Sequence, residues 1–135
     1  MFNFTTTLSY GLRLLINLAQ SDKGPRQLRK IAHEENISLP YLRKIILPLD
    51  KAGIVRSTRG PGGGFVLNRD PKDIALSEII GILSHNKVID CVKGYNSCRR
   101  FNGCRVKDLL EEAYDKFQLV FQGKTLESIS KEAKS

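Results

Sequence analysis

The stretch CVKGYNSCRRFNGC, residues 91–104, holds all three cysteines of a 135-residue chain. Cys91, Cys98 and Cys104 follow the spacing C-x6-C-x5-C. Three is odd, so disulfide pairing within one chain leaves a thiol over. Structural zinc sites usually rest on close C-x2–4-C pairs, and this stretch has none. Thiolates on a longer loop can wrap a larger object, and iron–sulfur clusters are held by thiolates. Gly94 and Gly103 give the loop freedom to fold around one. Lys93, Arg99, Arg100, Arg105 and Lys107 surround the thiols, and positive neighbours lower thiol pKa and balance an anionic cluster. Spacing alone leaves three readings open: a cluster, zinc-binding or redox-reactive thiols, and plain reduced cysteines on a surface loop.

The rest of the chain must position these thiols and give them a purpose. Its net charge is +8 and its pI about 9.6, which points to a polyanionic partner, nucleic acid before membrane surface. Residues 1–75 carry 12 Lys/Arg against 6 Asp/Glu, and residues 76–135 carry 10 against 8, so the anion-binding part is expected in the first half. The length fits one domain, or one domain plus an interaction element. The opening MFNFTTTLSY is not a signal peptide, and no run approaches the ~18 apolar residues of a membrane helix. The expectation is a cytoplasmic protein whose thiols are kept reduced. No paired-carboxylate motif, Ser/His/Asp arrangement or nucleotide fingerprint is present, so an enzyme is not expected.

Periodicity predicts the elements. Leu8, Leu12, Leu15, Ile16 and Ala19 mark a first helix over 8–20, and Leu28, Ile31 and Ala32 a second over 26–35. Asn36 suits the left-handed residue of a tight turn. Ser38 caps a third helix that Gly53 ends, with Pro40 in its first turn and Pro48 expected to kink it or split off its last turn. IVRSTR and FVLNR read as strands joined by GPGGG. That glycine run is no phosphate-binding loop, because no Gly-Lys-Ser/Thr follows and it lies between strands. LSEIIGILS predicts a further helix. RVKDLLEEAYDKFQLVFQG predicts a long one, in which Val106, Leu110, Ala113, Phe117 and Val120 repeat with the 3.5-residue period of a helix packed on a helix. The tail TLESISKEAKS is expected to be a short capped helix or frayed.

Helix, tight turn, helix and two-stranded hairpin is the order of a winged helix-turn-helix. Leu39, Leu42, Ile45, Ile46 and Leu49 form the expected buried stripe of the third helix. Its other side shows Lys44, Leu47 and Lys51, flanked by Tyr41 and Arg43. A helix fits the major groove, where Arg and Lys bond guanine, and Tyr and Ser bond phosphates. Arg56 and Arg59 are expected at the hairpin tip, slim enough to enter a narrow minor groove. Basic residues on a helix face are also commonly just solvated; here element order and charge asymmetry favour DNA.

ISLPYLRKI, LDKAGIVRSTRGPGGGFVL and the cysteine triplet resemble the Rrf2 family of bacterial transcription regulators, over about residues 2–125. The resemblance implies a mainly α fold with a small β wing. It implies a winged helix-turn-helix DNA-binding domain at 1–75 and a connecting helix with a cysteine sensor loop at 76–104. A long C-terminal dimerisation helix would occupy 105–122 and a tail 123–135. It further implies a homodimer on a pseudo-palindromic double-stranded promoter site, with Ser38, Tyr41, Arg43, Lys44 and Arg59 at DNA-contacting positions. Position 43 is Glu in one well-known member and Arg here, so that member's base preference does not carry over.

Three cysteines in this loop are similar to the cluster-binding members, which implies a two-iron two-sulfur or four-iron four-sulfur cluster on Cys91, Cys98 and Cys104. The first cysteine gap is one residue longer here than in one such member. The fourth ligand departs from the family. The position of a ligating His is Lys107 here, and that of a ligating Asp near the partner's N-terminus is Ser9. Asp108, Glu111, His85, His33, water or a small thiol remain. The function expected is a repressor or dual regulator sensing cluster status, redox or nitric oxide. The alternatives are a cluster-free thiol or zinc regulator and, least favoured, a small electron carrier.

Overall fold

The computed structural model describes residues 4–21, 24–84 and 105–132, and among these it has six α-helices and one hairpin. They run as α1 (Phe4–Ala19), α2 (Leu28–Glu35), α3 (Leu39–Lys51), β1 (Val55–Thr58), β2 (Gly64–Leu67), a 3-10 turn (Pro71–Asp73), α4 (Leu76–Leu83), α5 (Arg105–Phe121) and α6 (Leu126–Glu132). The mainly helical fold with a small wing is the one expected from the sequence.

Leu14, Leu15, Ile31, Leu42, Leu49, Ile74, Ile79 and Ile80 are fully sealed from solvent and form one core with Leu126. The α3 stripe is buried at Leu42, Ile45, Ile46 and Leu49, while Leu39 is half-buried. In α1 the buried line is Leu8, Leu14, Leu15 and Leu18, and the expected Leu12, Ile16 and Ala19 are half-buried. The difference comes from Gly11. A Cβ there would collide with the Leu83 side chain, so this glycine lets α4 press directly onto α1.

Three local expectations need correction. Arg26 belongs to the wing, not to α2: its N–H donates to Phe65 O at 3.0 Å and its carbonyl accepts from Phe65 N at 2.8 Å. Ladder bonds to β2 hold Arg26 extended, and α2 begins at Leu28. Pro48 does not split α3, which runs unbroken from Leu39 to Lys51. The flanking Ile45, Ile46 and Leu49 are buried and hold the helix together, and Pro48 O accepts from Ala52 N at 3.0 Å. Arg56 stands inside β1 opposite Val66, not at the hairpin tip.

The turns are built as the residue types require. Asn36 adopts φ 54°, ψ 48° and closes α2. Ser38 Oγ accepts from Tyr41 N at 3.3 Å and caps α3. The hairpin glycines are demanded by close approach: a Cβ at Gly64 would enter the Arg26 backbone, and one at Gly63 the Thr58 carbonyl.

The C-terminal segment is the short capped helix. Thr125 Oγ1 accepts from Ser128 N (3.3 Å) while Ser128 Oγ accepts from Thr125 N (3.2 Å). Leu76 N donates to Lys124 O at 3.0 Å and Leu126 N to Ile74 O at 2.9 Å, so α6 is laced to the start of α4. Gln20 Nε2 also donates to Ser130 O at 3.0 Å, joining α6 to the end of α1. None of the 17 residues of α5 is buried.

Candidate nucleic-acid interface

The cap at Ser38 fixes where α3 begins, and the buried stripe fixes which side it shows to solvent. Ser38, Arg43, Lys44, Leu47 and Lys51 are exposed along that side, with Leu47 at 59% exposure. An apolar side chain left this open on a basic helix suits the methyl group of thymine. Across from the first turns of α3 lies a shallow depression walled by Gln27, Leu28, Arg29, Leu39, Arg43, Gly64 and Phe65. It joins the starts of α2 and α3 to the turn end of β2. Arg59 is exposed directly after β1, and Arg56 is exposed on the strand itself.

Tyr41 is placed differently from its neighbours. It is half-buried, its hydroxyl shares a 2.9 Å hydrogen bond with Thr7 Oγ1, and its ring meets Tyr10 edge-on at 5.3 Å. The Arg13 guanidinium lies 5.5 Å from the Tyr10 ring centre. Tyr41 therefore ties α3 to α1. A hydroxyl that accepts from Thr7 still has a proton to donate to a phosphate.

Electrostatics divide the reader half into a compensated side and an uncompensated one. Glu34 pairs with Arg26. Glu35 pairs with Arg13 at 3.3 Å, and Arg13 also donates to the Glu35 carbonyl. Asn17 of α1 donates to both carboxylates, at 3.3 Å and 3.0 Å, and is 9% exposed; its Oδ1 has no partner among the described residues. Arg69 donates to Glu78 at 2.8 Å and to Asp73 O at 2.7 Å. The Glu78 hydrogen bond and charge raise the Arg69 pKa. Arg29, Lys30, Arg43, Lys44, Lys51, Arg56, Arg59 and Lys72 have no carboxylate partner among the described residues, and five of these, Arg43, Lys44, Lys51, Arg56 and Arg59, stand on α3 and the wing. Arg29 and Gln27 were missed from the sequence. The depression that joins them to Arg43 depends on the fold back of β2 against Arg26, which no local pattern announces.

Cys91, Cys98, Cys104 and His85 lie outside the described residues. Of the other fourth-ligand positions, Lys107 and Glu111 are half-buried and Asp108 is exposed near the start of α5, and His33 is exposed on α2. Among the described residues no group of three or more His, Cys, Asp or Glu could hold a metal. Three thiolates with a carboxylate such as Asp108 four positions after Cys104 are a donor set chemically fit for an iron–sulfur cluster, whereas a protonated lysine at 107 does not ligate. No helix among the described residues is long and apolar enough to cross a membrane.

Known proteins share this architecture. The family model Rrf2, described as an iron-dependent transcriptional regulator, matches residues 4–132. The transcriptional regulator CymR of Bacillus subtilis is 34% identical over 108 residues, covering 78% of each chain. The regulator IscR of Escherichia coli is 32% identical, covering 79% of this chain and 67% of its own. Among solved structures, T. potens IscR superposes with a TM-score of 0.74 at 33% identity, over 96% of this chain and 86% of that one. CymR of B. subtilis, described as its global cysteine regulator, superposes with a TM-score of 0.73 at 30% identity over 98% of both chains.

Proposed function

The chain belongs to the Rrf2 family of helix-turn-helix transcriptional regulators, not to a family of enzymes, and from that premise we propose that it is a homodimeric repressor or dual regulator whose thiol segment is its sensor. The observation that carries this reading is the place of the thiols. The segment 85–104 connects α4, which packs on the reader helix α3, to α5, whose apolar side this chain leaves open. A chemical change there acts on both at once. Two copies joined through Val106, Leu109, Leu119 and Val120 of α5 set the distance between two α3 helices. A pseudo-palindromic site must be met by both helices together, so a small change of placement costs much affinity.

On DNA, α3 enters the major groove, with Arg43 and Lys44 toward it and Ser38 and Tyr41 on flanking phosphates. Arg59 leads the wing to the minor groove and Arg56 follows along the strand. Cys91, Cys98 and Cys104 hold an iron–sulfur cluster, with Asp108 as the favoured fourth protein ligand. A bound cluster would supply a centre that reacts with oxygen or nitric oxide and reports cluster supply.

The test is an absorption spectrum of protein purified without oxygen, with iron and sulfide assays, beside Cys98→Ala. The expected result is a coloured protein with iron and sulfide near stoichiometry, and a folded, colourless variant. DNA affinity should differ between the loaded and stripped forms. A Cys98→Ala protein that keeps its full iron removes this ligand assignment. A second reading is favoured by Lys107 in the place of a ligating histidine: a regulator whose thiols bind no cluster, like a chain similar to the cysteine regulator CymR. Colourless protein after attempted reconstitution, with mass spectrometry showing oxidised or zinc-bound thiols, would select it.

A further inference from the structure

Arg29 and Arg43 both line the depression between α2, α3 and the wing, one from each helix. Both are exposed, and neither has a carboxylate partner among the described residues. The acids next along α2, Glu34 and Glu35, are engaged by Arg26 and Arg13. The same lining includes half-buried Leu28, Leu39 and Phe65 beside Gln27 and Gly64. Gly64 lets β2 lie close against the Arg26–Gln27 backbone, where any Cβ would collide. Two like charges that line one depression repel each other, and an anion bound by both removes the repulsion. A base edge needs one guanidinium aligned in its plane. A sugar–phosphate unit matches this place better, with its sugar against the Leu and Phe surface and its oxygens toward two arginine forks.

We propose that Arg29 is a further DNA-contacting residue and that it clamps one backbone phosphate of each half-site together with Arg43. The proposal rests on the DNA face assigned above. Arg43 then serves chiefly the backbone, and Lys44, one step round the helix, is left to the base edges. Because Arg29 belongs to α2 and Arg43 to α3, one phosphate gauges both helices and sets the register of α3 in the groove.

Fluorescence anisotropy with two labelled duplexes across a salt series tests it, one duplex of random sequence and one selected from a random pool by this protein. Arg29→Ala is expected to weaken both by a similar factor, about tenfold, and to make the slope of log K against log salt shallower by about one. Arg29→Lys should recover most of the slope. The double variant Arg29→Ala, Arg43→Ala should lose less than the two single losses combined, since both act on one phosphate. Wild-type affinity and slope in Arg29→Ala, with Lys44→Ala still weakening binding, would overturn the clamp and leave the DNA face standing. A loss confined to the selected duplex, with an unchanged slope, would also overturn it and make Arg29 a base reader. If neither Arg29→Ala nor Lys44→Ala alters binding, the face itself is misassigned and the clamp falls with it. Circular dichroism melting of each variant checks that the fold is kept.

Discussion

Helices α3 and α5 carry apolar stripes of similar quality and meet opposite fates. In α3 the stripe is sealed, with Leu42 and Leu49 at 0% exposure beneath α1, α2, α4 and β1. In α5, Val106, Leu109, Leu119 and Val120 are all above 60% exposed, and only Phe117 and Phe121 lean on the core, their rings 4.9 Å apart. A stripe shows that a helix needs covering; it does not say which chain supplies the cover. Four large apolar side chains left in water on one helix are a liability for a lone subunit and an asset for a pair.

The largest expected effect comes from placing charge on that open side. Val106→Lys with Val120→Lys should turn a dimer into a monomer at micromolar concentration in sedimentation, with helical content retained. A variant that still sediments as a dimer would move the interface elsewhere. Next, Leu42→Ala should cost about 3 kcal/mol in urea unfolding, as a buried leucine in a packed core does. Leu119→Ala, in the monomeric background, should cost less than about 0.5 kcal/mol, because that side chain is 63% exposed. Equal losses at the two positions would erase the contrast between the helices. Arg59→Ala should then weaken duplex binding about tenfold, with dimer and thermal stability unchanged; normal affinity would take the wing out of recognition. A smaller loss than that at Leu42 is expected at the cap: Ser38→Ala should cost about 1 kcal/mol of stability, and Ser38→Asp should restore most of it. A Ser38→Asp protein as unstable as the alanine variant would show that the cap adds little.

The same contrast explains what could be read beforehand. The stripes of α3 and α4, the left-handed Asn36, the Ser38 cap and the hairpin were legible because each depends on residues close in sequence. Charge asymmetry placed the basic side in the first half for the same reason, as composition survives without coordinates. What escaped depends on distant partners. Arg26 looks like the start of a helix until Phe65 bonds it into the wing. The α1 stripe shifts because Leu83 packs against Gly11. Pro48 reads as a breaker, yet the packing of its neighbours keeps α3 whole. Arg29 joins the candidate site only because β2 closes the depression beside it. Tyr41 read as a surface residue, and its bond to Thr7 gives it a second task that no spacing announces.

The lacing of residues 74–76 to 124–126 also has a consequence for how the protein is made. Leu126 is fully buried in the core of the DNA-reading half, and Gln20 bonds Ser130 across 110 positions. Such distant contacts close slowly, because the intervening chain must first lose its freedom. On the ribosome, the reader half therefore cannot complete its core until residue 126 has emerged, by which time the thiol segment and α5 have already been made. The order of synthesis delivers the thiol segment before the core of the helix-turn-helix half is finished.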